Sequence, residues 1–210
     1  MDMNRKFILI IAGLVIGVIV VWGHQNRIAL APSDTITPKV GSTSSPQASN
    51  SIFDKSRITK KPFGLYVTSK DSSVQPEKFT GYHTGVDLET TVAEANIDVP
   101  VPALFDGKLV MKKYATGYGG VVVEEATIEG QRMTIVYGHL KLSSITTTVG
   151  QYVKKGDILG VLGKGYSTET DGERKHLHLG IHLGSTINIL GYVPKKSDLI
   201  NWLYPVVFLK

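Results

Sequence analysis

The stretch Lys175-His-Leu-His-Leu-Gly-Ile-His182 alternates between histidines and aliphatic or small residues. A period of two is typical of a β-strand, and it places His176, His178 and His182 on one face and the aliphatic side chains on the other. Because residues i and i+2 of a strand lie about 6.6 Å apart, two imidazoles can reach one small site. The stretch therefore indicates either a metal or proton-transfer site or a solvated polar face, and by itself it does not separate the two.

The residues before this stretch have the pattern of an all-β domain. Short apolar runs alternate with Gly, Asp and Asn, and the strand candidates are Lys108–Lys113, Val121–Ala126, Met133–Tyr137, Asp157–Leu162 and His176–Leu183. Glu129-Gly130 and Asp106-Gly107 are turn signals of the kind that join antiparallel strands. The one helix that we expect in this domain is short, spans Ser197–Trp202 and is capped by Ser197 or Asp198. This pattern predicts an antiparallel sheet or a β-sandwich.

Composition limits the classes of function that the chain can have. At 210 residues it is long enough for one domain with attachments. The net charge of +5 favours a polyanionic surface such as a bacterial envelope, but no cluster of Lys and Arg with interleaved aromatic residues indicates nucleic acid. The chain has no cysteine, so any metal site must be built from nitrogen and oxygen donors.

The N-terminus has the features of a membrane segment. Arg5 and Lys6 precede an uninterrupted apolar run over Phe7–Trp22, which suits a helix with its N-terminus in the cytoplasm. The run is slightly shorter than the roughly 20 residues that a bilayer core needs. A cleaved signal peptide with its cleavage site at Ala29-Leu30-Ala31 is the alternative, but that site lies far beyond the run. We expect residues 1–31 to be a retained anchor, and the rest of the chain to be exported in either case.

A polar segment separates this anchor from the domain. Residues 32–51 are rich in Ser, Thr and Pro and have little to bury, so they are expected to form a disordered linker. A flexible chain of that length spans on the order of 25 Å, enough to hold a domain close to a membrane. The folded domain is expected to occupy residues 52–210.

Two further motifs contain histidine at positions of interest. His83 and Asp87 are four residues apart, about 13 Å on a straight strand, and a bend at Thr84-Gly85 would bring them together as ligands for one ion. Alone, this motif is more often a surface hydrogen bond. His139 ends an apolar strand in Tyr-Gly-His-Leu, where a single histidine is more often structural.

Together, however, these motifs resemble the LytM/lysostaphin-type (Gly-Gly/peptidoglycan) zinc metallopeptidases. The order is Gly-x-His83-x-Gly-x-Asp87, then Tyr-Gly-His139-Leu, then His176-Leu-His178, within an exported β-rich domain. The resemblance covers roughly residues 63–203. Three other stretches agree with the family: Asp98–Val110, the Gly-rich turn Thr116–Glu124, and Val149–Gly163.

The resemblance implies a role for each site residue. His83, Asp87 and His178 are expected to bind Zn²⁺, and His139 and His176 are expected to be catalytic without binding it. Three protein ligands leave a fourth position for water, as in catalytic zinc sites, and zinc lowers the pKa of that water to about 7. The sequence has no His-Glu-x-x-His motif, so the Glu base of other zinc peptidases is absent.

The implied activity is that of a cell-wall hydrolase. The family resemblance implies a zinc-dependent endopeptidase that cleaves stem peptides or cross-links of bacterial peptidoglycan, held on the outer side of the cell membrane by the anchor or secreted if the anchor is cleaved. Tyr82, Tyr118 and His182 are candidates to line its groove. The alternative is a non-catalytic relative that binds peptidoglycan or activates another hydrolase. Such relatives typically lack a ligand, whereas this chain has all five key residues.

The chain departs from the family pattern in two places. The loop Thr168–Lys175 is longer and more charged than the Ser-Thr-Gly-Pro usually found before the last ligands, and Gly180 stands where Glu is common. The ligand identities are unaffected, but the loop borders the expected groove and bears on substrate preference. Arg174 and Lys175 could bind an acidic stem peptide, although we favour a solvated loop.

Overall fold

The structure is a computed structural model, and it describes residues 51–210. The strands in chain order are β1 (Tyr66–Val67), β2 (Gly81–His83), β3 (Gly85–Glu89), β4 (Pro100–Pro102), β5 (Gly107–Ala115), β6 (Gly119–Ile128), β7 (Gln131–Gly138), β8 (Tyr152–Val153), β9 (Ile158–Val161), β10 (His176–Leu183), β11 (Tyr192–Val193) and β12 (Trp202–Leu203). Short 3-10 helices span Lys55–Arg57, Val92–Glu94, Leu142–Ser144, Thr168–Thr170, Lys196–Asn201 and Pro205–Phe208.

The strands form three antiparallel sheets. The largest has seven strands in the order β12-β10-β7-β6-β5-β8, with β3 also paired to β10. On the edge of β10 that faces away from β7, β3 pairs with residues 176–180 and β12 with residues 181–182. The smaller sheets are β1-β2-β11 and β4-β9. The predicted all-β fold of antiparallel sheets is confirmed.

The predicted strands all occur, as β5, β6, β7, β9 and β10, and β9 is one residue shorter at each end than the predicted Asp157–Leu162. β6 and β7 form a hairpin whose turn is Glu129-Gly130, with positive φ angles of 51° and 81°. These angles match the tight two-residue turn that follows the right-handed twist of paired strands. The turn predicted at Glu129-Gly130 is therefore confirmed, whereas Asp106-Gly107 joins no hairpin, because Gly107 begins β5 and the preceding strand β4 pairs with β9.

β10 separates the core from a second, polar environment. Leu177, Leu179 and Ile181 are fully buried in the main core, together with residues of the β4–β9 ribbon that cover the same face. His176 and His178 point to the opposite face, yet they are only 2% and 3% exposed. The predicted alternation is confirmed, and a solvated polar face is excluded for these two histidines.

The predicted C-terminal helix differs in its details. A 3-10 helix spans Lys196–Asn201, and Trp202 already belongs to β12. Because the helix begins at Lys196, the N-cap position is Lys195, whose side chain makes no capping hydrogen bond, and Ser197 and Asp198 lie inside the helix. The predicted cap is therefore wrong.

The expected membrane segment falls outside this description. Residues 1–31, and the expected linker up to residue 50, are not among the described residues. Between residues 51 and 210, the structure contains no helix with the length and apolar character needed to span a bilayer.

Candidate metal centre

Three of the predicted site residues converge at the junction of two sheets. The chain bends at Thr84, so that His83 ends β2 and Asp87 lies on β3. Asp87 is the direct cross-strand partner of His178 on β10. The three side chains are at most 3% exposed, and each offers one donor atom to a common point. The expected bend between His83 and Asp87 is therefore present.

The distances among the donor atoms fit a shared cation. His83 Nε2 lies 3.1 Å from His178 Nδ1, and Asp87 Oδ1 lies 3.3 Å from each of these nitrogens. Ligands of a tetrahedral zinc ion, bound at about 2.0–2.1 Å, are about 3.3 Å from one another. Two imidazole nitrogens and one carboxylate oxygen also form a donor set that zinc accepts.

The electrostatics of the centre favour the forms that bind metal. Burial lowers the pKa of His178 to about 4, so its ring is neutral at physiological pH. Burial acts to raise the pKa of Asp87, but the attraction of His176 and His83 outweighs it and holds that pKa well below its ordinary value. His83 Nδ1 lies 3.2 Å from the carbonyl oxygen of Pro62, which suits a ring that donates there and directs the Nε2 lone pair at the centre.

The other two predicted residues lie beside the three donors. His139 follows β7 with a positive φ of 66°, and its ring is 4.2 Å from that of His176. His176 Nδ1 lies 2.9 Å from the carbonyl oxygen of Arg174, and its Nε2 is 3.3 Å from Asp87 Oδ2. Burial, followed by the charge of His176, lowers the pKa of His139 well below 6.5. His139 Nδ1 is buried without a protein partner among the described residues, so it is available to another group.

A cavity of about 340 Å³ gives access to the centre. Its walls include four of the five predicted site residues, Asp87, His139, His176 and His178. Another wall is formed by the stacked rings of Phe79 and Tyr192, with centroids 5.5 Å apart. A bound molecule would therefore lie between aromatic rings and the polar groups of the site.

The three groove candidates occupy different places. Tyr118 lines the cavity, packs edge-on against the ring of His178 at 5.2 Å, and has a buried hydroxyl without a partner in residues 51–210. Tyr82 packs on Tyr66 and His182 on Trp202, and neither contributes to the wall of this cavity.

Arg174 is the residue that the sequence interpretation misjudged. Rather than being solvated, it is 6% exposed, and its Nη2 donates to Asp87 Oδ2 at 2.8 Å. The solvated-loop interpretation is therefore wrong for Arg174. A signal was present, because positions 174, 176 and 178 continue the period of two. Lys175 is half-buried, and its Nζ donates to the backbone of the 94–97 segment.

The N-terminal part of the described chain supports the centre and also lines its cavity through Lys61 and Glu77. The carbonyl oxygen of Lys61 accepts the backbone N–H of Asp87 at 3.0 Å. The Lys61 ammonium is buried against Glu77 at 2.6 Å and against the Tyr192 hydroxyl at 2.9 Å. No motif in the sequence indicated this pair, because its members lie outside the histidine pattern.

These features define a class, a β-sheet domain with a buried His–Asp–His donor set and two adjacent histidines. Residues 81–189, more than half of the chain, match the model of peptidase family M23, and the chain belongs to this family. The predicted resemblance is confirmed.

Solved structures give further similarities. LytU is 25% identical, with 72% of this chain and 83% of LytU covered and a TM-score of 0.49. Lysostaphin is 34% identical, with 51% of this chain and 39% of the lysostaphin chain covered and a TM-score of 0.39. Csd3 of Helicobacter pylori is 27% identical, with 64% of this chain and 32% of the Csd3 chain covered and a TM-score of 0.39. A comparison with curated proteins gives no match.

Proposed function

We propose that the protein is a zinc-dependent endopeptidase that cleaves stem peptides or cross-links of bacterial peptidoglycan. The observation that carries this proposal is the convergence of His83, Asp87 and His178 within 3.3 Å, at a cavity that also contains two other histidines. A structural zinc site uses four protein ligands, whereas three ligands beside a cavity suit a catalytic one.

In this proposal His83 Nε2, Asp87 Oδ1 and His178 Nδ1 hold Zn²⁺. When bound, the ion would supply a water molecule with a pKa of about 7 and would polarise the substrate carbonyl. The protein contributes the proton transfers. The neutral ring of His139 can accept a proton from water. His139 and His176 together can then return a proton to the leaving amine.

His176 is oriented for the same task. Its Nδ1 is occupied by the carbonyl oxygen of Arg174, so its Nε2 is the nitrogen that faces the centre. The ring of His176 packs against that of His139, which places both proton carriers on one side of the donor set. Removing either ring should therefore leave the metal ligands in place.

The family and the N-terminal sequence support the proposed substrate and location. Membership of peptidase family M23 supports a peptide substrate, and the resemblance of the sequence motifs to the peptidoglycan peptidases supports one from the cell wall. We further propose that residues 1–31 anchor the chain and residues 32–51 tether it on the outer side of the bacterial membrane, close to that substrate.

Substitution of each site residue tests the proposal. Zinc content of the purified chain is measured by elemental analysis, and cleavage of muropeptides by mass spectrometry. Asp87→Ala or His178→Ala is expected to remove metal and activity together. His139→Ala or His176→Ala is expected to lower activity by at least about 100-fold while zinc stays bound.

His182→Ala is the matched control, because His182 is on the same face of β10 but outside the cavity. It should leave metal content and activity unchanged. A wild-type chain that binds muropeptides without cutting them would instead identify the non-catalytic alternative.

A further inference from the structure

The guanidinium group of Arg174 connects two carboxylates on β3. Its Nη2 donates to Asp87 Oδ2 at 2.8 Å, and its Nε lies 3.0 Å from both oxygens of Glu89. Asp87 and Glu89 are two residues apart on the strand, so both point to the face that carries the donor set. Arg174 thus forms a bridge along β3 at the edge of the centre.

Because of this bridge, the two carboxylate oxygens of Asp87 have different partners. Oδ1 faces His83 Nε2 and His178 Nδ1, whereas Oδ2 is held by Arg174 and lies near His176 Nε2. The charge-assisted hydrogen bond from Arg174 fixes the direction of Oδ2 and weakens it as a ligand, so Oδ1 is the oxygen that Asp87 presents to the cation. Without Arg174, Oδ2 would keep only the 3.3 Å contact with His176 Nε2, and the carboxylate could turn to bind through both oxygens.

Arg174 also acts through its backbone. Its carbonyl oxygen lies 2.9 Å from His176 Nδ1, which sets the orientation of that ring. One residue therefore contacts both a proposed ligand and a proposed proton carrier. Its own charge is balanced by Glu89, so the buried guanidinium is compensated even while it bonds to Asp87.

We propose that Arg174 is a positioning residue that holds Asp87 in a one-oxygen geometry toward the cation. This inference rests on the proposed zinc site. It assigns the charged loop before β10, which departs from the family pattern, a role in building the metal centre rather than in contacting solvent.

The test measures metal binding rather than activity. The affinity of the full chain, purified in detergent, is measured by competition between the protein and a chelator for Zn²⁺. Arg174→Gln is expected to raise the dissociation constant by about 10–100-fold, the usual cost of losing a hydrogen-bond partner of a ligand. Arg174→Lys, which keeps the charge but not the fork of donors, should recover only part of that loss.

A spectroscopic measurement reports the geometry directly. With Co²⁺ in place of Zn²⁺, four-coordinate sites absorb visible light more strongly than five-coordinate ones. Arg174→Gln should therefore weaken the cobalt bands, because a released Asp87 carboxylate can add its second oxygen. A variant with a purely structural defect would lose bound cobalt without this change in the spectrum of the bound fraction.

Arg57→Gln is the matched control. Arg57 is similarly buried, at 7% exposed, pairs with Glu94 at 2.8 Å and also donates to the backbone carbonyl oxygen of Glu89 at 3.0 Å, so it contacts the end of β3 without contacting either bridged carboxylate. It should leave zinc affinity unchanged. Equal weakening by Arg57→Gln, or an Arg174→Gln dissociation constant within about twofold of the wild type, would overturn the inference.

Two outcomes keep this inference distinct from the proposed function. If the wild-type chain binds no zinc, the proposed function fails and this inference fails with it. If the wild type binds zinc but Arg174→Gln does not fold, Glu89→Gln provides the test, because it loosens the bridge and leaves Arg174 present. Unchanged zinc affinity in Glu89→Gln would then refute the positioning role alone.

Discussion

The substitution Glu124→Gln is expected to change how the stability of the domain depends on pH. Glu124 lies on β6 and is fully buried, and it accepts a hydrogen bond from the hydroxyl of Tyr137. Its other oxygen, Oε1, has no partner in the described part of the chain. Burial raises the pKa of Glu124 to about 7, from an ordinary value of 4.5.

The sign and the size of the effect follow from this difference. The folded state keeps the Glu124 proton up to a pH near 7, whereas the unfolded chain releases it near 4.5. Stability is therefore lost as the pH rises between these values. At about 1.4 kcal/mol for each pH unit, the wild type should lose about 3 kcal/mol by pH 8 relative to Glu124→Gln.

Urea unfolding of both chains between pH 4 and pH 8, in excess chelator, measures this difference. Other titrating groups are shared by the two chains, so they cancel when the free energies of unfolding are subtracted. Glu125→Gln, half-buried and on the opposite face of β6, controls for the loss of one negative charge. A difference that stays constant across this pH range would refute the reasoning, whatever its absolute value.

Two other substitutions test how the strands and loops hold the centre. A Cβ at Gly85 would lie 2.4 Å from the carbonyl oxygen of Leu179, so Gly85→Ala should push β3 from β10. It should cost about 1–3 kcal/mol in urea unfolding and weaken zinc binding in a chelator competition. Asp171 accepts hydrogen bonds from the Tyr114 hydroxyl and the Gly117 N–H, so Asp171→Ala should cost about 1–2 kcal/mol. Unchanged melting of Asp171→Ala would show that these bonds do not stabilise the loop.

The strands of the large sheet were predictable because their signal is local. The alternation over His176–Leu183 and the turn at Glu129-Gly130 each depend on neighbouring residues, and both occur as expected. The very short strands, such as β1 and β11, escaped prediction because two residues contain no period. Their pairing with β2 is set by contacts distant in sequence.

The partners of the buried Arg174 could not be predicted from the local sequence pattern. Its charge and its loop suggested exposure, since an isolated charged residue is rarely buried. In the structure two carboxylates on β3 compensate that charge, and they come from positions 85 and 87 residues earlier in the chain. No local pattern contains a partner so distant.

By itself, the sequence determined which residues alternate on β10 and which donor types were available, because side-chain order and strand period are properties of neighbouring residues. The tertiary structure decided that His178 Nδ1 and Asp87 Oδ1, 91 positions apart, lie 3.3 Å from each other. That meeting depends on the bend at Thr84 and on the register of β3 against β10, which are settled only when both strands bury their apolar faces in a common core.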